Sequence, residues 1–448
     1  MLRMKRNNII FTSILIICII LVNILSMNVL PTLVMYVAVY FSILIYFMRF
    51  HRKWKNLFTS IEFIYLSIFT AYAVFAPIQY LIDNGGQRQW YFFISHNTMA
   101  GTFRLYFNVF SILSIILLLF GYPKKNYYED LFIDNKLVKR GNKKYGFIFD
   151  IGALLCVAIF LYACIRNGLS FFKLDFGTRR ILAEFPLQQY VWLYMMVYTV
   201  VSVSEAEIQP KTLTSFLKRI KIRIFVIIAF WGLSLFVDRR HILSVLIAIL
   251  IVHLSKMKKL NLKIILVVIT VVVLLAYYAI TRIGISKSAG AEVLFYTAFS
   301  EFILTNYVTC YYFSNPVKYL SFGSTYIWDT FTRIFPKSIF PWKPEDLASV
   351  FAKTALNGEN GYAFNPVAEG LLNFGAFSII TTPIIIFTII VIGSKTQKKN
   401  PLFYALICGY SMDFCRGQFA NSMFDIFVMY ILLRLMSRLK FENANLMR

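Results

Sequence analysis

Long apolar runs separated by short polar stretches recur along almost the whole of this chain. A helix needs roughly 20 apolar residues to cross a bilayer core. That ruler predicts twelve transmembrane helices, at 8–27, 29–48, 57–82, 103–121, 146–165, 190–205, 223–237, 242–255, 263–281, 374–393, 402–415 and 420–437. The seventh, eighth and eleventh are short for a crossing. The expected fold class is an all-α integral membrane protein. Its parts are nine helices over 1–281, one large loop over 282–373, and three helices with a tail over 374–448. Inside the loop, 291–313 is apolar but holds Glu292 and Glu301. A thirteenth crossing there would reverse the charge sign of every later loop, so the segment reads as a helix at the interface, dipping back into the bilayer, or packed on the bundle.

Composition supports the membrane class. With 59% hydrophobic and 15% charged residues and a mean hydropathy of +0.66, a soluble chain of 448 residues could not hide its apolar surface. The net charge of +25 comes from cations lying between apolar runs, as topology signals do, rather than from a nucleic-acid-binding domain. Placing both termini in the cytoplasm puts 30 of the 46 basic residues on that side. The outer face then carries loops at 83–104, 166–189 and 282–373, with tight turns at Asp238–His241 and Arg416–Gly417. Met1–Arg6 followed by an apolar run has the look of a signal peptide, but without a cleavage site it reads as a retained first helix. The six cysteines show no ligand spacing and the four histidines are scattered, so neither metal nor cofactor is expected. Phosphate-loop, nucleophile-elbow and zinc-protease motifs are absent. Catalysis, if present, belongs at the outer face, on lipid-linked substrates.

Outer cations oppose the positive-inside rule, and holding an anion is one reason to keep them. Arg239 and Arg240 share a turn between two short spans. They read either as forked phosphate contacts or as an interfacial pair that snorkels or bonds Asp238. Arg166 and the run Gly177–Thr178–Arg179–Arg180 read as contacts to the same anion or as anchors to lipid phosphate. Arg416 sits before Gly417, with Asp413 and Asp425 as alternative partners. Arg333, Lys337 and Lys343 are spaced by Pro336, Pro341, Trp342 and Pro344, which suits sugar stacking or a loop resting on the interface. Asn365–Pro366 has the form of an N-cap with a first-turn proline, followed by Glu369 and then by Asn373. Glu369 either compensates the helix dipole or serves as a general base. Glu62 and Asp150, in or near apolar spans, have no spacing that names a chemistry.

Together these residues resemble the O-antigen polymerases of bacterial envelopes (the Wzy type), within the wider group of oligosaccharide repeat-unit polymerases. The resemblance is carried by Asp238–Arg239–Arg240 and by the passage from Phe322–Gly323 through Arg333–Ile334–Phe335–Pro336 and Trp342–Lys343–Pro344. It continues through Asn365, Glu369–Gly370 and Asn373–Phe374–Gly375 to Arg416–Gly417. A family spacing of Arg, ten residues, then Gly is met once, by Arg166 and Gly177; Arg333 has no such partner. The resemblance implies a GT-C-like, metal-independent glycosyltransferase of the bacterial inner membrane, acting in lipopolysaccharide or capsule biosynthesis. It would move a growing glycan from undecaprenyl diphosphate onto an incoming lipid-linked repeat unit. Implied partners are that lipid-linked oligosaccharide, membrane lipid, a chain-length regulator and a flippase, but no nucleic acid. Implied catalytic residues are Glu369, Arg240 and Arg416. Arg239, Arg333, Lys337, Lys343, Arg166, Arg179, Arg180 and Asn373 would hold diphosphate or sugar. O-antigen ligases share the plan but carry a loop histidine, which 282–373 lacks. A flippase or other transporter is the alternative from another class.

Overall fold

The computed structural model describes residues 2–51, 54–83, 94–120, 143–166, 187–206, 213–237, 240–256, 291–335, 340–356 and 363–441, with isolated positions between them. The ninth expected span, 263–281, falls almost wholly outside these residues. Among the described residues the regular structure is all helical. In chain order the helices are α1 (Leu2–Ile24), α2 (Val29–His51), α3 (Trp54–Phe58), α4 (Ile61–Ile82), α5 (His96–Phe120) and α6 (Lys143–Ile165). There follow α7 (Gln188–Ala206), α8 (Leu213–Val237), α9 (Arg240–Lys256), α10 (Ala291–Ser314), α11 (Ser324–Arg333) and α12 (Leu347–Ala355). The last are α13 (Pro366–Phe374), α14 (Ser378–Lys399), α15 (Pro401–Gly409), α16 (Ser411–Arg416) and α17 (Phe419–Phe441). Among the described residues, six stretches are long and apolar enough to cross a membrane: Val29–Arg49, Ile61–Ile82, His96–Phe120, Phe147–Ile165, Pro366–Gln397 and Phe419–Met436. The chain is a multi-pass helical membrane protein.

Local chemistry sets several helix ends. Ser60 caps α4 by accepting from the Phe63 N–H at 3.3 Å, so the span expected from 57 begins at Ile61. Asn400 caps α15 with Pro401 in the first turn. The span expected at 374–393 differs in the structure. Gly375, at φ 55°, breaks the chain between α13 and α14 after a conformation that glycine adopts freely. The span expected at 402–415 is likewise divided, between α15 and α16.

The chain divides into two compact units. The first comprises residues 1–125, 262–394 and 414–424. Tyr36 of α2 packs among Phe103, Phe107 and Phe110 of α5, and Asn23 and Asn108 exchange amide hydrogen bonds at 2.9 and 3.0 Å. The segment expected to lie at the interface, dip back or pack on the bundle is α10, which packs against α4 and α5. Phe75 stacks on Phe299 at 4.3 Å, the Asn306 amide donates to the Tyr72 carbonyl at 3.2 Å, and Tyr106 and Thr309 share a hydroxyl bond of 2.9 Å. A buried cluster of Val308, Tyr312, Leu347, Phe351, Phe364 and Ala368 then ties α10, α12 and α13 together.

The second unit comprises 126–261, 395–413 and 425–448. Its α9 and α15 approach closely at Gly409, where an added Cβ would lie 2.2 Å from the Ser244 carbonyl oxygen. Asp150, a residue without an assigned chemistry in the sequence, pairs with Arg223 at 2.9 Å and accepts from the Tyr198 hydroxyl at 2.8 Å. Glu62 of the first unit accepts from Ser394 Oγ at 3.2 Å. Among the described residues none of the six cysteines is joined in a disulfide.

Candidate functional site

The polar groups of the long loop converge on one turn of the first unit, residues 416–421. Gln418 is its pivot and is only 2% exposed. Its Nε2 donates to Asp329 Oδ2 at 2.6 Å, while its Oε1 accepts from Arg333 Nη2 and from the Leu347 N–H, each at 3.2 Å. A side-chain amide offers both donors and acceptors, which is why this one group can fasten α11 and α12 to the same turn. Its neighbours extend the join. Arg416 is paired with Glu301 of α10. The Phe419 N–H donates to Glu369 Oε2 at 2.8 Å, and Asn421 Nδ2 donates to Asp346 Oδ1 at 2.6 Å. Asp346 also faces Arg333 at 3.5 Å.

Glu369 is held from α13, whose start follows from Asn365–Pro366 as the sequence predicts. Asn365 Oδ1 accepts from the N–H groups of Val367 and Ala368, both at 2.9 Å. Its Nδ2 donates to the Thr305 carbonyl at 2.6 Å and to Thr309 Oγ1 at 2.8 Å, docking the cap on α10. One turn later Glu369 is fully buried. Asn373 Nδ2 donates to Thr325 Oγ1 at 2.7 Å, and that hydroxyl donates to Glu369 Oε1 at 2.6 Å. Because a threonine hydroxyl has a single proton, the direction of this relay is fixed. Asn373 Oδ1 accepts from the Gly323 N–H, and the Asn373 carbonyl from the Phe322 N–H, both at 3.0 Å. These bonds seat the left-handed pair Phe322 (φ 44°) and Gly323 (φ 84°) that opens α11.

Electrostatics follow from burial. Burial raises the Asp329 carboxyl above its ordinary value, while the Gln418 hydrogen bond and the Arg333 charge oppose that rise. Lys343 is lowered by burial first and by the Arg333 charge second; its ammonium donates to the Phe335 carbonyl at 3.2 Å. Tyr326 lies in the same cluster, its ring stacked on Phe374 at 6.0 Å and edge-on to Phe419 at 5.2 Å. Its buried hydroxyl has no hydrogen-bond partner among the described residues, and burial, then the Glu369 charge, pushes it well above the ordinary phenol value. The site therefore combines two guanidinium groups, each with a carboxylate partner, and a carboxylate whose two oxygens are both occupied by donors.

Of the residues singled out in the sequence, Arg333, Lys343, Glu369, Asn373 and Arg416 all lie in this first unit. Arg416 has Glu301 as its partner; Asp413 instead accepts from Ser244 Oγ at 2.7 Å, and Asp425 from Gln189 Nε2 at 2.6 Å and from the Tyr410 hydroxyl. Arg166 and Arg240 belong to the second unit. Arg166 is exposed and donates to the Leu182 carbonyl at 2.7 Å. Arg240 is the first residue of α9, one turn before Ser244. Arg239, Arg179, Arg180 and Lys337 lie outside the described residues. Sequence reasoning passed over Gln418, Thr325, Asp329, Asp346 and Asn421. A signal existed for two of them: Thr325, Asp329 and Thr332 recur at the spacing of one helix face. Among the described residues, no group of three or more His, Cys, Asp or Glu side chains is placed to hold a metal ion. Comparison with family models, with curated proteins and with solved structures finds no match to this chain.

Proposed function

We propose that this chain is a membrane glycosyltransferase that polymerises oligosaccharide repeat units carried on undecaprenyl diphosphate. In this reading twelve spans place both termini in the cytoplasm and 282–373 on the outer face of a bacterial inner membrane. One observation carries it: in a multi-pass membrane protein, Arg333 and Arg416, with the carboxylates Glu369, Asp329 and Asp346, are drawn from distant parts of the chain onto the turn at 416–421. Such an assembly suits a reaction whose leaving group is a diphosphate and whose nucleophile is a hydroxyl.

The acceptor sugar's hydroxyl oxygen attacks the anomeric carbon of the donor, whose bond to the diphosphate oxygen breaks. The electron pair leaves on the diphosphate, where guanidinium groups offset the growing charge. Arg333 can exchange Asp346, its 3.5 Å partner, for phosphate oxygen. The hydroxyl proton passes to Glu369. Its Oε1 already accepts from one hydroxyl, Thr325 Oγ1 at 2.6 Å, and the acceptor hydroxyl replaces that donor with another of the same kind.

The test is a deletion complemented with variants and read as the length distribution of surface glycan. The deletion is expected to leave single repeat units on the surface lipid, and so are Arg416→Ala and Arg240→Ala although both variant proteins insert normally. Loss of all surface glycan would indicate a flippase and unattached polymer a ligase. Normal ladders from well-inserted variants would refute the proposal.

A further inference from the structure

Helix α11 is built inside out. Its polar residues Thr325, Asp329 and Thr332 are buried, the first two in the network described above, while Ile327, Trp328 and Phe331 stand exposed at the i, i+1 and i+4 positions of the opposite face. Ile327 is 77% exposed and Phe331 50%, and Ile334 and Phe322 extend the same exposure beyond both ends of the helix. For a helix in water this is the reverse of the ordinary arrangement, in which the apolar stripe faces the core. The aromatic rings form a continuous run. Trp328, Phe331, Phe335, Phe340 and Trp342 follow one another at centroid spacings of 6.1, 5.3, 4.8 and 5.2 Å, and Trp342 is 67% exposed.

What covers this face follows from where it sits. The start of α11 rests on the end of α13: Phe322 bonds the Asn373 carbonyl, and Tyr326 stacks on Phe374. Immediately beyond come Phe377, just before α14, and the outward stripe of α14, Ile380, Ile384 and Ile392, in one of the apolar stretches long enough to cross a membrane. Bilayer lipid is the solvent for such a stripe. We infer that α11 and the Trp342 turn lie in the membrane interface, apolar face toward the acyl chains, as a monotopic foot continuous with that span. Trp and Phe at this depth, with Lys318 over the Tyr319 ring at 5.4 Å, match the chemistry of the head-group boundary. The foot holds Thr325 and Asp329 at head-group depth, so the network of Glu369 and Gln418 meets ligands that arrive within the membrane plane. This inference goes beyond the proposed reaction and holds whichever reaction the site performs.

The test places a fluorophore on Ile327→Cys in a Cys18→Ser, Cys156→Ser background, the four other cysteines being buried. Phe331→Cys is the second reporter. Lys353→Cys is the aqueous control, since Lys353 is 62% exposed and pairs with Glu345. The protein is placed in single-copy nanodiscs containing either plain or brominated phosphatidylcholine, with iodide as the aqueous quencher. Labels at 327 and 331 should be quenched by shallow acyl bromines and be roughly threefold or more less sensitive to iodide than the label at 353. Equal iodide quenching at 327 and 353 would overturn the inference. So would protection from iodide without bromine quenching, which would mean that protein covers the face.

Discussion

If Gln418 joins the loop to the 416–421 turn, Gln418→Ala should loosen α11 and α12 without unfolding the bundle. The substitution removes one bond to a carboxylate, one from a guanidinium and one from a backbone N–H. Hydrogen bonds to charged groups contribute about 1.5–3 kcal/mol each and neutral ones about 0.5–1.5. Three bonds to one amide are not additive, and Asp329 keeps some compensation from Arg333, so about 3 kcal/mol of local stability should go. At 1.4 kcal/mol per tenfold, local opening becomes on the order of a hundredfold more frequent. Hydrogen–deuterium exchange in nanodiscs reads this directly: amides of 324–333 and 347–355 should exchange faster by about that factor, and those of 61–82 should not change. Gln418→Glu, which sets an acceptor against Asp329 Oδ2, should loosen the same segments at least as much. Exchange over 324–355 within about threefold of wild type would refute the pivot.

Other consequences follow from the same geometry. Thr325→Val keeps the shape of the side chain but strips the donor from Glu369 Oε1, so it should abolish long ladders and lower stability by about 1–3 kcal/mol, while Thr325→Ser retains both. Asn365→Ala loses the cap and its dock on α10, which should cost about 1–2 kcal/mol in a thermal or denaturant midpoint. Asn365→Asp keeps the cap acceptor but sets a buried carboxylate oxygen against the Thr305 carbonyl, and should cost at least as much as Asn365→Ala. Gly409→Ala pushes a methyl group into the Ser244 carbonyl and should destabilise the second unit by about 1–3 kcal/mol, read as a lowered thermal midpoint.

What could be read from the sequence was local. Apolar length marked 29–48 and 57–82, which form the helices 29–51 and 61–82, and the Asn–Pro pair placed the start of α13 with Glu369 in its first turn. Those signals act within a few residues. The site is made of contacts across the chain: Gln418 meets Asp329 89 residues away, and Arg416 meets Glu301, while the nearby Asp413 and Asp425 serve other partners. No spacing rule reaches so far. Helix α11 is hidden for a different reason. Its outward Ile327, Trp328 and Phe331 mimic a core-facing stripe, because the period is right and only the surroundings are reversed. Gly375 hides its break inside a long apolar run, where composition alone predicts an uninterrupted helix.

Polymerisation can be measured by reconstituting the purified protein in liposomes with lipid-diphosphate-linked repeat units from its own host. Products would be resolved by chain length. A ladder of multiple repeats still attached to lipid diphosphate should form without added metal and be absent with Arg416→Ala at equal protein incorporation. Repeat units that remain single in the presence of well-inserted wild-type protein would contradict it, as would a ladder unaffected by Arg416→Ala.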